Sequence, residues 1–172
     1  IGVYSNYNFR AVYNEQKIYV LGVLGLTPQE SEDVLTLFQV SGRTFFTDED
    51  RYVTVISKTA ASRLGIANET LTSDQPPVIN LNNVEFKVIG VVDDAFSMYL
   101  NLDGRNLLPA DLSLPMVFDA KIMIGVEPDR AMIIPFRTAL DLGAAVPLIN
   151  IRLEDPELVE KYAYQAYKYF PG

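Results

Sequence analysis

Neither cysteine nor histidine occurs among the 172 residues of this chain. Together those absences exclude thiol nucleophiles, Ser-His-Asp triads, haem ligation through histidine and the usual Cys/His zinc sites. Without cysteine there is also no disulfide framework, so the redox compartment cannot be read from bridges and a cell-envelope location stays open. Basic residues are few: 14 Lys and Arg stand against 22 Asp and Glu, giving a net charge of -8 at pH 7. They form no cluster, so the electrostatic footprint that nucleic-acid binding needs is missing and anionic membrane surfaces are disfavoured. No apolar run reaches the roughly 18 residues of a membrane span, and no charged n-region opens the chain at Ile1. The sequence is therefore read either as a mature protein or as a piece of a larger polypeptide. A phosphate-cradling G-x-x-x-x-G-K-[ST] motif is absent as well.

What is present can build a core. Hydrophobic residues make up 49% and aromatics 11%, with 21% charged, which is enough apolar surface to offset chain entropy in one domain or two small lobes. The runs NFRAVY (Asn8 to Tyr13) and KIYVLGVL (Lys17 to Leu24) read as a hairpin turning at Asn14, Glu15 and Gln16. Thr27, Pro28 and Glu30 form a cap, a first helical position and a capping-box partner. Val34, Leu37 and Phe38 continue that helix at helical spacing until Gly42. In YVTVISKTAASRLGI (Tyr52 to Ile66) a short buried strand turns at Ser57 into a helix whose face is Ala60, Ala61 and Leu64, stopped by Gly65. Val78 to Leu81 and Val84 to Val92 form a second hairpin about Asn82-Asn83.

Between Asp93 and Arg130 the periodicity fails over a stretch too long for an ordinary connection. Further on, Ala131 to Ile134 reads as a strand ended by Pro135, Arg137 to Leu142 as a short helix ended by Gly143, and Pro147 to Leu153 as a last strand. Asp155-Pro156 then starts a helix with Leu158, Tyr162, Gln165, Ala166 and Tyr169 at helical spacing.

Chemistry has few candidates. Ser57 is a nucleophile or a helix cap. An elbow serine needs flanking glycines and a base, but its neighbours are Ile56 and Lys58, so capping is favoured over a Ser-Lys dyad. Asp48, Glu49 and Asp50, and Asp93 with Asp94, are the carboxylate groups that would hold a cation or act as acid and base, although adjacent acids on loops usually face water. Asn101 to Asn106 hints at a calcium loop, but the acids of the 12-residue pattern are lacking at its first and last ligand positions. Asn68-Glu69-Thr70 fits a glycosylation sequon on a surface loop. Tyr162, Tyr164, Tyr167 and Tyr169 crowd one helix and cannot all face inward; partly buried core tyrosines are favoured over an interaction face for a partner subunit. Expected catalytic, cofactor and metal residues are therefore none.

Four pieces in order carry a resemblance: SGRTFFTDEDRYVTVIS (Ser41 to Ser57), KTAASRLGI (Lys58 to Ile66), VINLNNVEFKVIGVVDD (Val78 to Asp94) and MIIPFRTAL (Met132 to Leu140). Together they resemble the extracytoplasmic domains of MacB-type and FtsX-like ABC transporter permeases. The chain departs from that pattern before the second hairpin, where Thr72 to Pro77 replaces a Gly-x-x-Ile segment, and in the length of the stretch from Asp93 to Arg130. The resemblance implies an α+β fold of two lobes: a porter-like lobe from residues 1–50 with 147–172, and an inserted Sabre-like lobe from 51–146. It further implies a non-catalytic domain between two transmembrane helices, facing the periplasm or cell exterior, and relaying motion from an ABC ATPase subunit or domain. A second permease copy and an envelope adaptor or cargo would be further partners. A rival reading is a module that captures a lipid, peptide or small molecule, motivated by Leu102, Leu107, Leu108, Leu112 and Leu114. An acid/base enzyme using Asp or Glu is the third.

Overall fold

The computed structural model describes residues 2–4, 9–73, 75–100, 106–109, 125–144 and 155–169. Among them run strands β1 (Gly2–Tyr4), β2 (Phe9–Tyr13), β3 (Gln16–Val20) and β4 (Gly22–Leu26), then helix α1 (Pro28–Leu35) and strands β5 (Gln39–Gly42) and β6 (Val53–Ser57). Helix α2 (Lys58–Leu64), strands β7 (Val78–Leu81), β8 (Val84–Val92) and β9 (Ala131–Pro135), and helices α3 (Phe136–Asp141) and α4 (Val159–Tyr169) follow. The fold is α+β, as expected.

Hydrogen bonding joins the strands in one mixed sheet of order β1-β4-β9-β6-β8-β7-β2-β3, with β5 also on β8. The pairs β4–β9 and β6–β8 are parallel and the others antiparallel. The long β8 holds β7 along Val84–Lys87 and β5 along Gly90–Val92, while β6 takes its other edge. Leu21 alone separates β3 from β4 in sequence, yet the two strands stand at far ends of this order. The sheet must curl until the end of β3 meets the start of β4, where the Leu21 N–H donates to the Arg130 carbonyl at 2.8 Å. That bend splits the apolar run Lys17 to Leu24 into two strands.

Curling gives the sheet two apolar faces. Ile18, Val20, Val23, Ile56, Phe86, Met132 and Ile134 share one cluster with Ala60, Ala61 and Leu64 of α2. On the other face Leu24, Leu26, Val55 and Ile133 pack with Val34 and Leu35 of α1 and with Phe46, Phe96, Leu107 and Leu108. Alternation along β9 sends Met132 and Ile134 one way and Ala131 and Ile133 the other, which is why a strand buried on both faces reads as a continuous apolar run. The part expected as a porter-like lobe and the part expected as an inserted lobe share this sheet, since β4 of the first pairs with β9 of the second.

Local signals set most element ends. Thr27 and Glu30 form the capping box, with the Glu30 carboxylate accepting from the Thr27 N–H at 3.0 Å. Tight turns place Asn14 and Glu15, and Asn82 and Asn83, at positive φ, the geometry of two-residue hairpin loops. Helix α1 does not continue through Leu37 and Phe38 as the spacing suggested. It stops at Leu35, and a 3-10 turn over Thr36–Phe38 leads into β5. Leu37 is 68% exposed there, whereas half-buried Phe38 packs against the second cluster.

Candidate functional site

Ser57 ends β6 and caps α2: its buried hydroxyl accepts the Ala60 N–H at 3.0 Å. A second cap comes from far along the chain, because the Asp94 carboxylate accepts both the N–H of Thr59, at 3.2 Å, and its hydroxyl. Asp93 turns the other way and caps its own 3-10 turn through the Ala95 N–H at 2.9 Å. The two neighbouring acids thus serve different helix ends. They do not converge as an acid/base pair. At the far end of α2, Arg63 pairs with Asp129, which is only 5% exposed.

The acids at 48 to 50 divide similarly. Asp48 and Glu49 are exposed, whereas the Asp50 side chain is 12% exposed and takes two guanidinium bonds from Arg43, at 2.7 and 2.9 Å. It also accepts the Thr47 N–H at 2.7 Å. Burial alone would push the Asp50 carboxyl up, but the bonds from Arg43 and Thr47 outweigh it and hold the group below the usual carboxylate value. The expectation that loop acids simply face water fails at Asp50 and Asp94, because each accepts bonds from donors that the fold carries to it.

Two glycines let this loop close on the sheet. Gly42 sits at φ +68, and a Cβ there would come within 2.4 Å of the Ile89 carbonyl. At Gly90 a Cβ would stand 2.2 Å from the Arg43 carbonyl. The Arg43 N–H donates to Ile89 at 2.8 Å across this contact. Here lies the physical reason for Gly-Arg in the first quoted piece and for the glycine of VIGVV in the third. Beside the loop a cleft of about 520 Å³ is lined by Gln39, Gly42, Arg43, Phe45, Leu71, Thr72, Pro76 and Ile89.

The remaining candidates are structural or exposed. Asn68 and Thr70 lie on a 3-10 turn, Asn68–Thr72, with Asn68 exposed. Tyr162 and Tyr164 are 40% and 77% exposed, and Lys161 lies over the Tyr162 ring; the side chains of Tyr167 and Tyr169 are outside the described residues. Leu107 and Leu108 are core residues, each 4% exposed. Leu102, Leu112 and Leu114, the residues 101–105 of the calcium-like stretch and the expected strand at 147–153 also lie outside the described residues. Among those described, no group of three or more Asp or Glu side chains is placed to hold a metal ion, and no helix is long and apolar enough to cross a membrane.

The model of the MacB-like periplasmic core domain family matches residues 2–166. The chain belongs to that family. As a MacB-like periplasmic core domain it lies outside the cytoplasm and is of the kind carried by ABC transporter permeases, as the four ordered pieces implied. Its fold is similar to the periplasmic region of MacB from Actinobacillus actinomycetemcomitans, with TM-score 0.57 and 16% identity over 98% of this chain and 64% of that one. It is also similar to the extracellular domain of the noncanonic ABC-type transporter YknZ from Gram-positive bacteria, with TM-score 0.50 and 19% identity over 93% of this chain and 66% of that one. This MacB-like domain therefore spans just under two thirds of each of those structures. No curated protein sequence matches it.

Sequence reasoning missed three cross-links: Arg43–Asp50, Thr59–Asp94 and Arg63–Asp129. The last two join residues 35 and 66 positions apart, and no local pattern announces pairs at such separations.

Proposed function

We propose that this domain is a non-catalytic part of an ABC transporter permease that relays ATP-driven movement to the periplasm or cell exterior, for export, lipid handling or activation of a partner. Family membership over residues 2–166 carries the reading. It is supported by the use of Ser57, Asp50, Asp93 and Asp94 as caps and clamps. A body tied together in this way suits rigid-body transmission. In this reading an ABC ATPase subunit or domain drives the permease through transmembrane helices on either side of the domain, a second permease copy pairs with it, and an adaptor or cargo meets its outer surface. The porter-like and Sabre-like lobes belong to the same proposal, joined through the shared sheet and moving with it as one body.

The test uses the full permease with its ATPase in proteoliposomes. Deleting residues 9–144 should leave ATP hydrolysis measurable and abolish transport or partner activation. Spin labels on exposed Thr72 and Leu37, each paired with a label in the membrane-spanning part, should show distances that change between the ATP-bound and nucleotide-free states. Unchanged distances together with retained transport would refute the relay.

A further inference from the structure

Arg43 lines the cleft described above with about a third of its side chain exposed, 34%. Its guanidinium carries five N–H donors in a fixed plane, enough for two parallel forks and one further bond. Asp50 occupies the fork made by the two terminal nitrogens, and the remaining Nη1 hydrogen goes to the Phe45 carbonyl at 2.9 Å. What is left is Nε–H and the second Nη2 hydrogen, which lie side by side along the other edge of the plane. Neither has a partner among the described residues. The three bonds to Asp50 and the Phe45 carbonyl hold the guanidinium, which also lies over the Phe45 ring at 5.5 Å from its centre, so a ligand would have little ordering to do. Phe45, Leu71, Pro76 and Ile89 supply apolar walls to this open cleft of about 520 Å³.

We propose that this cleft binds an anionic amphiphile, its carboxylate or phosphate on the second fork of Arg43 and its apolar tail along Phe45, Leu71, Pro76 and Ile89. Asp48 and Glu49, exposed in the same loop, and the overall charge of -8 repel a bare anion. Selection therefore requires head and tail together: a short carboxylate such as acetate should not bind, and affinity should rise with tail length, by at most about fourfold per added methylene, the figure for full burial. The inference is independent of the relay reading, because a binding cleft stands or falls by titration of this chain alone.

The experiment is calorimetric titration of the chain with octanoate, decanoate, dodecanoate and dodecyl phosphate below their micelle-forming concentrations, with dodecyl maltoside as the neutral control. Saturable one-to-one binding of dodecanoate, of dodecyl phosphate or of both, tightening with tail length and absent for the maltoside, is expected. Preference between the two heads assigns the natural source as a fatty acid or a phospholipid-type phosphate. Thr72 is exposed at the cleft wall, so Thr72→Glu should fold with an unchanged melting temperature and lose at least tenfold in affinity. Arg43→Lys should lose affinity despite keeping its charge, because an ammonium offers no planar fork. Absence of saturable binding by either anion, equal binding of the maltoside, or an unaltered affinity in Thr72→Glu would overturn the assignment.

Discussion

Replacing Asp50 with asparagine tests whether the loop is held by charge or by shape. Four donors converge on the native carboxylate: two guanidinium nitrogens of Arg43, the Thr47 N–H at 2.7 Å and the Thr47 hydroxyl at 3.1 Å. The single oxygen of an amide side chain at this position can keep about two of these, and its NH₂ group would face donors. Two lost bonds at about 1 kcal/mol each, with Arg43 partly solvated so that the unpaired cation adds little, give roughly 2 kcal/mol. For a domain of this size that is about 4–8 °C in melting temperature. Because the folded Asp50 group titrates below its ordinary value, the native protein binds fewer protons than the unfolded chain through the carboxylate range. The stability it supplies is thus fully present above the unfolded value and fades as pH falls through the lower folded one. Urea denaturation of wild type and Asp50→Asn from neutral pH downward should show a gap of about 2 kcal/mol that narrows with acid. A gap that is absent at neutral pH, or unchanged on acidification, would refute the account of a charge-held clamp.

Gly90→Ala should be costlier than its size suggests, since the new methyl would meet the Arg43 carbonyl oxygen at 2.2 Å and its carbon at 2.7 Å. Both are backbone atoms, so about 1–3 kcal/mol or more is expected in a denaturation curve, and a neutral result would show that the loop is not pinned there. Ser57→Ala should lose about 1 kcal/mol and leave any transport function intact. A selective functional loss at full stability would reopen the nucleophile reading. Leu108→Ala should cost about 2–5 kcal/mol if the residue is core, as its 4% exposure says; little destabilisation would return it to the rival ligand-lining role.

The segments whose information is local were legible. The path from Val53 to Gly65 was readable because a β-rich run, a capping serine and a terminal glycine follow one another within 13 residues, and the hairpin at Asn82-Asn83 because its turn residues tolerate positive φ. Strand β5 was hidden. Its residues Gln39, Val40, Ser41 and Gly42 have no period of their own and become a strand through pairing with β8. The closure of β3 toward β4 was likewise invisible, because Leu21 sits in a run that reads as one strand. At the candidate site the identity of the Ser57 cap was readable, but the partner of each carboxylate was not. Asp93 and Asp94 are adjacent in sequence and point to different helices, and only the fold decides that. The quoted pieces gave the family through their order, while the reason for the glycines at 42 and 90 needed the backbone contact itself.

Helix α2 gathers three of the charged side chains described above, Arg63, Asp94 and Asp129, of which Asp129 is only 5% exposed. At seven residues it is too short to be stable alone, so its position must be imposed by its surroundings. Ser57 and Asp94 hold its first turn, Ala60, Ala61 and Leu64 bury one face against the strands, and Arg63 is bound to Asp129. Asp94 follows β8 and Asp129 precedes β9. The chain therefore leaves one strand and enters the other at two points fixed on a single helix. A force arriving through these points would reach α2 at both ends and pass through the shared apolar cluster to Ile56 and Met132, neighbours across β6 and β9. Asp94 and Asp129 thus tether one helix to segments far along the chain, and in the proposed relay that tether is what would couple them mechanically.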